Sequence, residues 1–386
     1  MNFFKKAQAL IFLFLFSHTL SASTKILVFG DFGTGDENQK LVARDMTKYC
    51  QSQGCDFAVT VGDNIYPKGV VNLFQGQTNY DKGTPNYQII TDIFVKNYNA
   101  MKMPFYMSFG NHDVGNEGLV SIFKDLLKNQ ETINKRTVAL MTNEVNYTNH
   151  PDNPVVINSS GKPSRLWSFN APFYHIEEKD GVNLFAINTN TYPHRALKDD
   201  NQLDLARPKN FGQEAWLKDS LQKAKPGWKI VFGHMPLYSH GRHGWQNFLD
   251  IDEFRNSIIK LLCQEKVDFY LSGHDHHLEV DKHICPDGHV ITAVLSGAAA
   301  KTDRVYQRSF PFFSDDKNLL WANGKFYKNS KLIYKNDDEV LGFAHITLDG
   351  PKALLKMELS KGASADRKNA CFGIIKSKAI NPVACN

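Results

Sequence analysis

The chain has 386 residues, 42% of them hydrophobic and 22% charged, with a formal net charge of +5. That balance excludes an intrinsically disordered chain, and the positive bias is too weak to imply a nucleic-acid partner. The length suits one large α/β domain or two small ones; no low-complexity linker or internal repeat divides it, so a single domain over residues 24–386 is expected.

Residues 1–23 open the chain with Lys5 and Lys6, continue as an apolar run from Ala9 to Phe16, and close on Ser21, Ala22 and Ser23. Basic, apolar, small is the order of a secretory signal peptide. The apolar run falls well short of the roughly 20 residues that span a bilayer. A leader cleaved near Ala22 to Thr24 is therefore expected in place of an integral membrane anchor, with a secreted or periplasmic destination. Six cysteines remain, Cys50, Cys55, Cys263, Cys285, Cys371 and Cys385. An even count in an exported chain suggests disulfides, and sequence-local pairing would join Cys50 to Cys55, Cys263 to Cys285 and Cys371 to Cys385. None has the Cys-x-x-Cys spacing of a zinc site.

In chain order, an apolar strand over residues 25–29 ends at Gly30-Asp31-Phe32-Gly33, and Leu41, Val42, Met46 and Tyr49 then fall at helical spacing. A second strand, residues 57–61, delivers Gly62-Asp63-Asn64-Ile65-Tyr66. After a loop rich in Gly, Asn and Tyr, a helix is predicted over 87–99, and a third strand, 104–109, ends in Gly110-Asn111-His112-Asp113. The pattern then loosens, with a helix over 119–130 and an Asn-rich stretch, 143–164, read as a surface insertion. A hairpin turns on Lys179-Asp180-Gly181 and a helix runs from 213 to 225. Strand 229–232 ends at Gly233-His234, with His240 and His243 just beyond. Helix 251–265 leads into strand 267–271 and Gly273-His274-Asp275-His276. Strands near 290–295, 343–348 and 353–359 are expected to be antiparallel and to complete the sheets, with an aromatic and basic loop region over 304–336.

Taken singly, each polar cluster has a plain explanation: Gly-Asp favours turns, Asn-His caps helices, and paired histidines are common on surfaces. Five such clusters, each at the end of an apolar strand, are not explained by turns. Carboxylate, phenol, amide and imidazole are hard and borderline ligands suited to two cations without thiolate. A carboxylate such as Asp63 has two oxygens to share, and a phenolate such as Tyr66 suits a trivalent ion.

These motifs resemble the calcineurin-like metallophosphoesterases, and within them the purple acid phosphatases of the small, tartrate-resistant type. The first motif is Asp-x-Gly where generic members have Asp-x-His, and the second carries the additional Tyr66. The resemblance implies an α/β fold, a four-layer αββα sandwich of two mixed β-sheets flanked by helices. It also implies that Asp31, Tyr66 and His276 bind Fe(III), that Asn111, His234 and His274 bind a divalent Fe, Zn or Mn ion, and that Asp63 bridges the two. His112 and His243 would stand beside the leaving group, His243 being preferred to His240 for its spacing from His234 and the following Gly244. His277 is expected behind the ligands or in solvent.

The implied activity is hydrolysis of phosphate monoesters by metal-activated hydroxide in a secreted acid phosphatase, a monomer acting on small phosphorylated substrates. Alternatives are a phosphodiesterase or nucleotide pyrophosphatase on the same centre, and a non-catalytic metal-binding surface protein. The stretches 143–164 and 304–336 match the resemblance poorly and are of the kind that line a pocket rim.

Overall fold

The computed structural model describes residues 23–74, 77–79, 83–115, 130–191, 212–246, 248–305, 318–326, 340–361 and 368–385. All but the last residue of the expected leader and of the helix over 119–130, and most of 304–336, lie outside them. Two eight-stranded mixed sheets carry the fold. The first contains β1 (Thr24–Phe29), β2 (Phe57–Thr60), β3 (Phe105–Tyr106) and β4 (Trp167–Ser168), all mutually parallel.

The second contains β5 (Tyr174–Glu178), β6 (Val182–Ala186), β7 (Trp228–Phe232), β8 (Phe269–Ser272), β9 (Leu278–Ile284), β10 (Val290–Ser296), β11 (Leu319–Ala322) and β12 (Lys325–Phe326). Strands β6, β7, β8 and β10 are parallel in that order, while β5 and β9 run against their neighbours. The chain then returns to the first sheet as an antiparallel meander, β13 (Leu341–Asp349), β14 (Lys352–Lys361), β15 (Ala370–Ile375) and β16 (Ala379–Val383), with β13 against β1.

Alternation along the strands builds the layers. Leu184 and Ala186 of β6 join Ile230, Phe232 and Val294 in the core between the sheets. Phe185 and Val231 point the other way, into a second core with Trp216 and Leu221 of helix α3 (Gln213–Lys223) and Phe254 and Ile258 of helix α4 (Phe248–Gln264). Helix α1 (Glu37–Gln53) starts where the Asp36 carboxylate accepts from Gln39 N at 3.0 Å and ends at Gly54, whose φ of 81° favours glycine. It covers the first sheet, with Val42 and Met46 buried and Tyr49 against Phe343 and His345. All three sequence-local disulfides form, Cys50–Cys55, Cys263–Cys285 and Cys371–Cys385. Among the described residues no helix is long and apolar enough to cross a membrane.

Three expectations are corrected. The stretch 143–164 is not wholly a surface insertion, because it begins inside helix α2 (Gln130–Tyr147), where Asn143, Glu144 and Tyr147 are buried. The polarity of Asn143 is answered internally: its Nδ2 donates to Val70 O at 2.7 Å and Asn72 Oδ1 at 2.8 Å. Residues 304–336 are not a loop throughout, since β11 and β12 pair as a hairpin on the sheet edge. Strand β10 is antiparallel to β9 but parallel to β8, because the chain reverses twice between β8 and β10, once in the loop 273–277 and once in the β9–β10 hairpin.

His345 on β13 is buried beside Tyr49 and faces Gly54 O across 3.2 Å from Nε2. Burial pulls its imidazole down to about 4, against about 6.5 in an unfolded chain. The unfolded chain therefore binds a proton that the folded one refuses. This contribution to stability is present above about pH 6.5 and is lost as pH falls toward 4, by roughly 3 kcal/mol. Urea unfolding at both ends of that window should show a drop smaller by about that amount in His345→Gln than in the parent chain.

Candidate metal centre

The site lies where the parallel strands of both sheets end, the usual place for ligands in such sheets. Asp31 follows β1, Asp63 follows β2, Asn111 and His112 lie beyond β3, His234 follows β7, and His274 and His276 follow β8. The sheets are stitched together there: Gly30 N donates to Ser296 O at 2.8 Å and Ser296 Oγ to Val28 O at 2.9 Å, while Asp31 N to Gly62 O at 3.0 Å ties the first two motif loops of one sheet to each other. Asp31, Asp63 and His274 take left-handed φ values of 57°, 54° and 74°. For residues with a Cβ this costs on the order of 1–3 kcal/mol each. It is held by hydrogen bonds that also aim the side chains, His274 N to Asp31 Oδ2 at 3.0 Å and His112 N to Asp63 Oδ1 at 2.9 Å.

All seven donors expected from sequence come together around Asp63. On one side the Tyr66 hydroxyl lies 2.7 Å from Asp63 Oδ2 and 3.3 Å from Asp31 Oδ1, and His276 Nε2 lies 3.7 Å from Asp31 Oδ1. On the other, His234 Nε2 lies 3.5 Å from Asp63 Oδ1, 2.9 Å from Asn111 Oδ1 and 3.3 Å from His274 Nδ1. His112 packs its ring 4.4 Å from that of Tyr66 and donates from Nδ1 to Pro67 O at 2.8 Å. His243 sits 4.4 Å from the His274 ring, whereas His240 is buried and bonded through Nδ1 to Glu279 at 2.9 Å. His277 is fully buried and contacts the same Glu279 at 2.7 Å, so of its two expected settings it takes the one behind the ligands.

The electrostatics suit cations. Asp31 and Asp63 are buried, and among the described residues no lysine or arginine forms an ion pair with either. Burial and then the Asp63 charge push the Asp31 carboxyl well above the usual range. Burial acts upward on Asp63 too, but His234, His112 and the Tyr66 hydroxyl outweigh it and hold it down to about 2. Burial, Asp63 and Asp31 drive the Tyr66 phenol well upward. Three acidic groups so close cannot all ionise without positive charge between them.

The histidines are prepared in the same sense. His234 Nδ1 faces the Val61 carbonyl at 2.8 Å and must carry the proton, leaving Nε2 a bare lone pair. His276 Nδ1 faces the Asp303 carboxylate at 3.1 Å, leaving Nε2 toward Asp31. A ring nitrogen engaged from behind is how metal-ligating histidines are oriented. The donor set therefore fits two cations, a hard phenolate-and-carboxylate group beside a borderline amide-and-imidazole group.

Several residues that shape the site were not singled out by the sequence. Asp113 gathers Gly110 N at 2.7 Å, Asn64 N at 2.8 Å and Ile65 N at 3.0 Å, locking the second and third motif loops together. Asp275 does the same for the loop bearing His243, accepting from His243 N at 2.8 Å and Gly244 N at 3.0 Å. Both lie inside quoted motifs, so their place between ligands was a usable signal. Asp303 and Glu279 lie outside them and had none.

A family model described as calcineurin-like phosphoesterase matches residues 24–278. Purple acid phosphatase 17 of Arabidopsis thaliana is 28% identical over 73% of this chain and 70% of its own. Tartrate-resistant acid phosphatase type 5 of Mus musculus is 25% identical over 81% and 77%. Among solved structures, GAP50, the anchor in the inner membrane complex of Plasmodium, superposes with a TM-score of 0.54 at 18% identity, covering 93% of this chain and 90% of that one. The purple acid phosphatase PPD1 from yellow lupin seeds gives 0.53 at 16%, covering 90% and 54%. At those identities the structures share the fold alone. With strand-end motifs, donor geometry and a family match over most of its length, the chain belongs to the calcineurin-like phosphoesterase family.

Proposed function

We propose that the chain is a secreted or periplasmic acid phosphatase that hydrolyses phosphate monoesters at a dinuclear centre of Fe(III) with a divalent Fe, Zn or Mn ion. The observation that carries this is the position of Asp63, with one oxygen 2.7 Å from the Tyr66 hydroxyl and the other 3.5 Å from His234 Nε2. Asp31, Tyr66 and His276 would hold the ferric ion, Asn111, His234 and His274 the divalent ion, and Asp63 both. The names of the similar purple and tartrate-resistant acid phosphatases support this reading. Two bound cations supply charge to the phosphoryl oxygens and acidify a water for in-line attack.

The rest is done by side chains. With Nδ1 donated to Pro67, His112 has Nε2 as its exchangeable position, and a proton held there passes to the departing alkoxide as the ester P–O bond breaks. Burial lowers the pKa of His243 and favours a neutral ring beside His274, where it can hydrogen-bond a substrate oxygen. Asp275 positions His243 through its backbone, and Asp303 fixes the His276 ring. No serine or cysteine nucleophile is needed. Export is supported by the leader pattern of residues 1–23 and by three disulfides, which persist in oxidising compartments.

Elemental analysis with a visible spectrum of the oxidised, metal-replete protein tests the centre: a broad band that vanishes in Tyr66→Phe is expected. A colourless parent with two equivalents of zinc or manganese would reject the ferric assignment. His112→Ala should cut turnover of p-nitrophenyl phosphate by about 100-fold or more with both metals retained; loss of both metals there would overturn its placement at the leaving group. A clear preference for bis(p-nitrophenyl) phosphate would replace the monoester reading by a diesterase. A Cβ at Gly110 would fall 2.1 Å from Asp63 Oδ1, so Gly110→Ala should displace the shared carboxylate, lower the bound metal below two equivalents and leave the far-ultraviolet dichroism unchanged.

A further inference from the structure

We propose that Lys301 forms an anion subsite at the mouth of this centre, binding a second anionic group on the substrate next to the phosphoryl group that is hydrolysed. The proposal rests on the phosphatase reading above. The Lys301 ammonium lies 3.7 Å from the centroid of the Tyr66 ring, the residue whose hydroxyl contacts both Asp63 and Asp31. It is half-buried, and among the described residues it makes no hydrogen bond or ion pair at contact distance, although its charge is felt by the Asp31 carboxylate. The ring face receives its charge but offers no strong acceptor to its three N–H groups.

The acid two residues along the loop is already engaged: Asp303 accepts from the His276 backbone and faces His276 Nδ1 at 3.1 Å. Nor is the lysine on a loose segment. Gly297 N donates to His277 O at 3.1 Å, Ala299 N to Gly30 O at 3.4 Å and Asp303 N to His276 O at 2.6 Å, so its loop is tied to both sides of the site.

Asp31 attracts Lys301, and cations held by the same carboxylate would offset that attraction, so an anion brought by the substrate would give the ammonium a partner of its own. Lys301 sits over the face of the Tyr66 ring, next to the donor atoms, and on this proposal the group attached to the phosphoryl lies against it. Lysine suits that task, as a point charge on a flexible stem that pairs with phosphate or carboxylate without demanding a fixed plane. The substrate class that fits is a small phosphate monoester with a carboxylate or second phosphate close to the ester oxygen.

The test uses a matched pair, 2-phosphoglycolate and ethyl phosphate, which differ by one carboxylate. Metal-replete parent, Lys301→Met and Lys301→Arg would be compared by kcat and KM and, separately, by calorimetric binding of each ligand. The parent should favour phosphoglycolate by about tenfold in KM and in Kd, as expected for one partly exposed charge-assisted contact. Lys301→Met should remove that preference with ethyl phosphate within twofold of the parent, and Lys301→Arg should restore most of it. Equal losses on both ligands would place Lys301 at the phosphoryl group itself and overturn the proposal, as would an unchanged preference in Lys301→Met. If the parent hydrolyses neither ligand nor p-nitrophenyl phosphate, the phosphatase reading fails, while the calorimetric preference still decides whether Lys301 binds a second anion.

Discussion

Asp63 is the constraint on which the rest depends. Its two oxygens face two different donor groups, and it is buried within hydrogen-bonding reach of a phenol and close to a second buried carboxylate. Burying acidic groups together is costly unless positive charge is supplied. Only Asp63 is kept low, beside His234, His112 and the Tyr66 hydroxyl, whereas Asp31 and Tyr66 are left strongly disfavoured as anions. The protein accepts this in exchange for a donor set that cations complete.

Holding such a set requires backbone in unusual states. The left-handed Asp31, Asp63 and His274 each turn a strand end sharply enough to send a side chain across the gap between the sheets. Glycines at the motif starts leave room, since a Cβ on Gly273 would meet Asp31 Oδ2 at 2.4 Å. Buried carboxylates then fix the loops. Asp113 holds one pair of motif loops, and Glu144, from α2, lies behind it with Asn64 Nδ2 at 3.4 Å; burial first and Asp113 second push the Glu144 carboxyl upward.

On the opposite side Glu279 clamps His240 N at 2.9 Å and His277 Nε2 at 2.7 Å, tying the loop that leads to His243 to the strand that follows His276. Burial raises the Glu279 carboxyl, but the two imidazoles prevail and keep it ionised well below the usual range. The donor set is thus framed by buried acids that lie behind it. Their work is to keep strained loops in one arrangement.

The amino-acid sequence by itself determined where the donors lie, because an apolar strand followed by a Gly-led polar cluster is a local signal, and strand ends in a parallel sheet share one edge. It also determined the disulfide partners, since each cysteine has a near neighbour in the chain. Tertiary structure alone decided the supports. Asp303, Glu279, Glu144 and Lys301 come from segments with no motif, and their roles exist only once distant strands are brought together. The same reason explains the one stretch read with the wrong exposure: Asn143 and Glu144 look like surface residues until folding supplies Val70, Asn72 and Asn64 as hydrogen-bond partners. Local polarity says what a side chain needs, and only the fold says whether water or another part of the chain provides it.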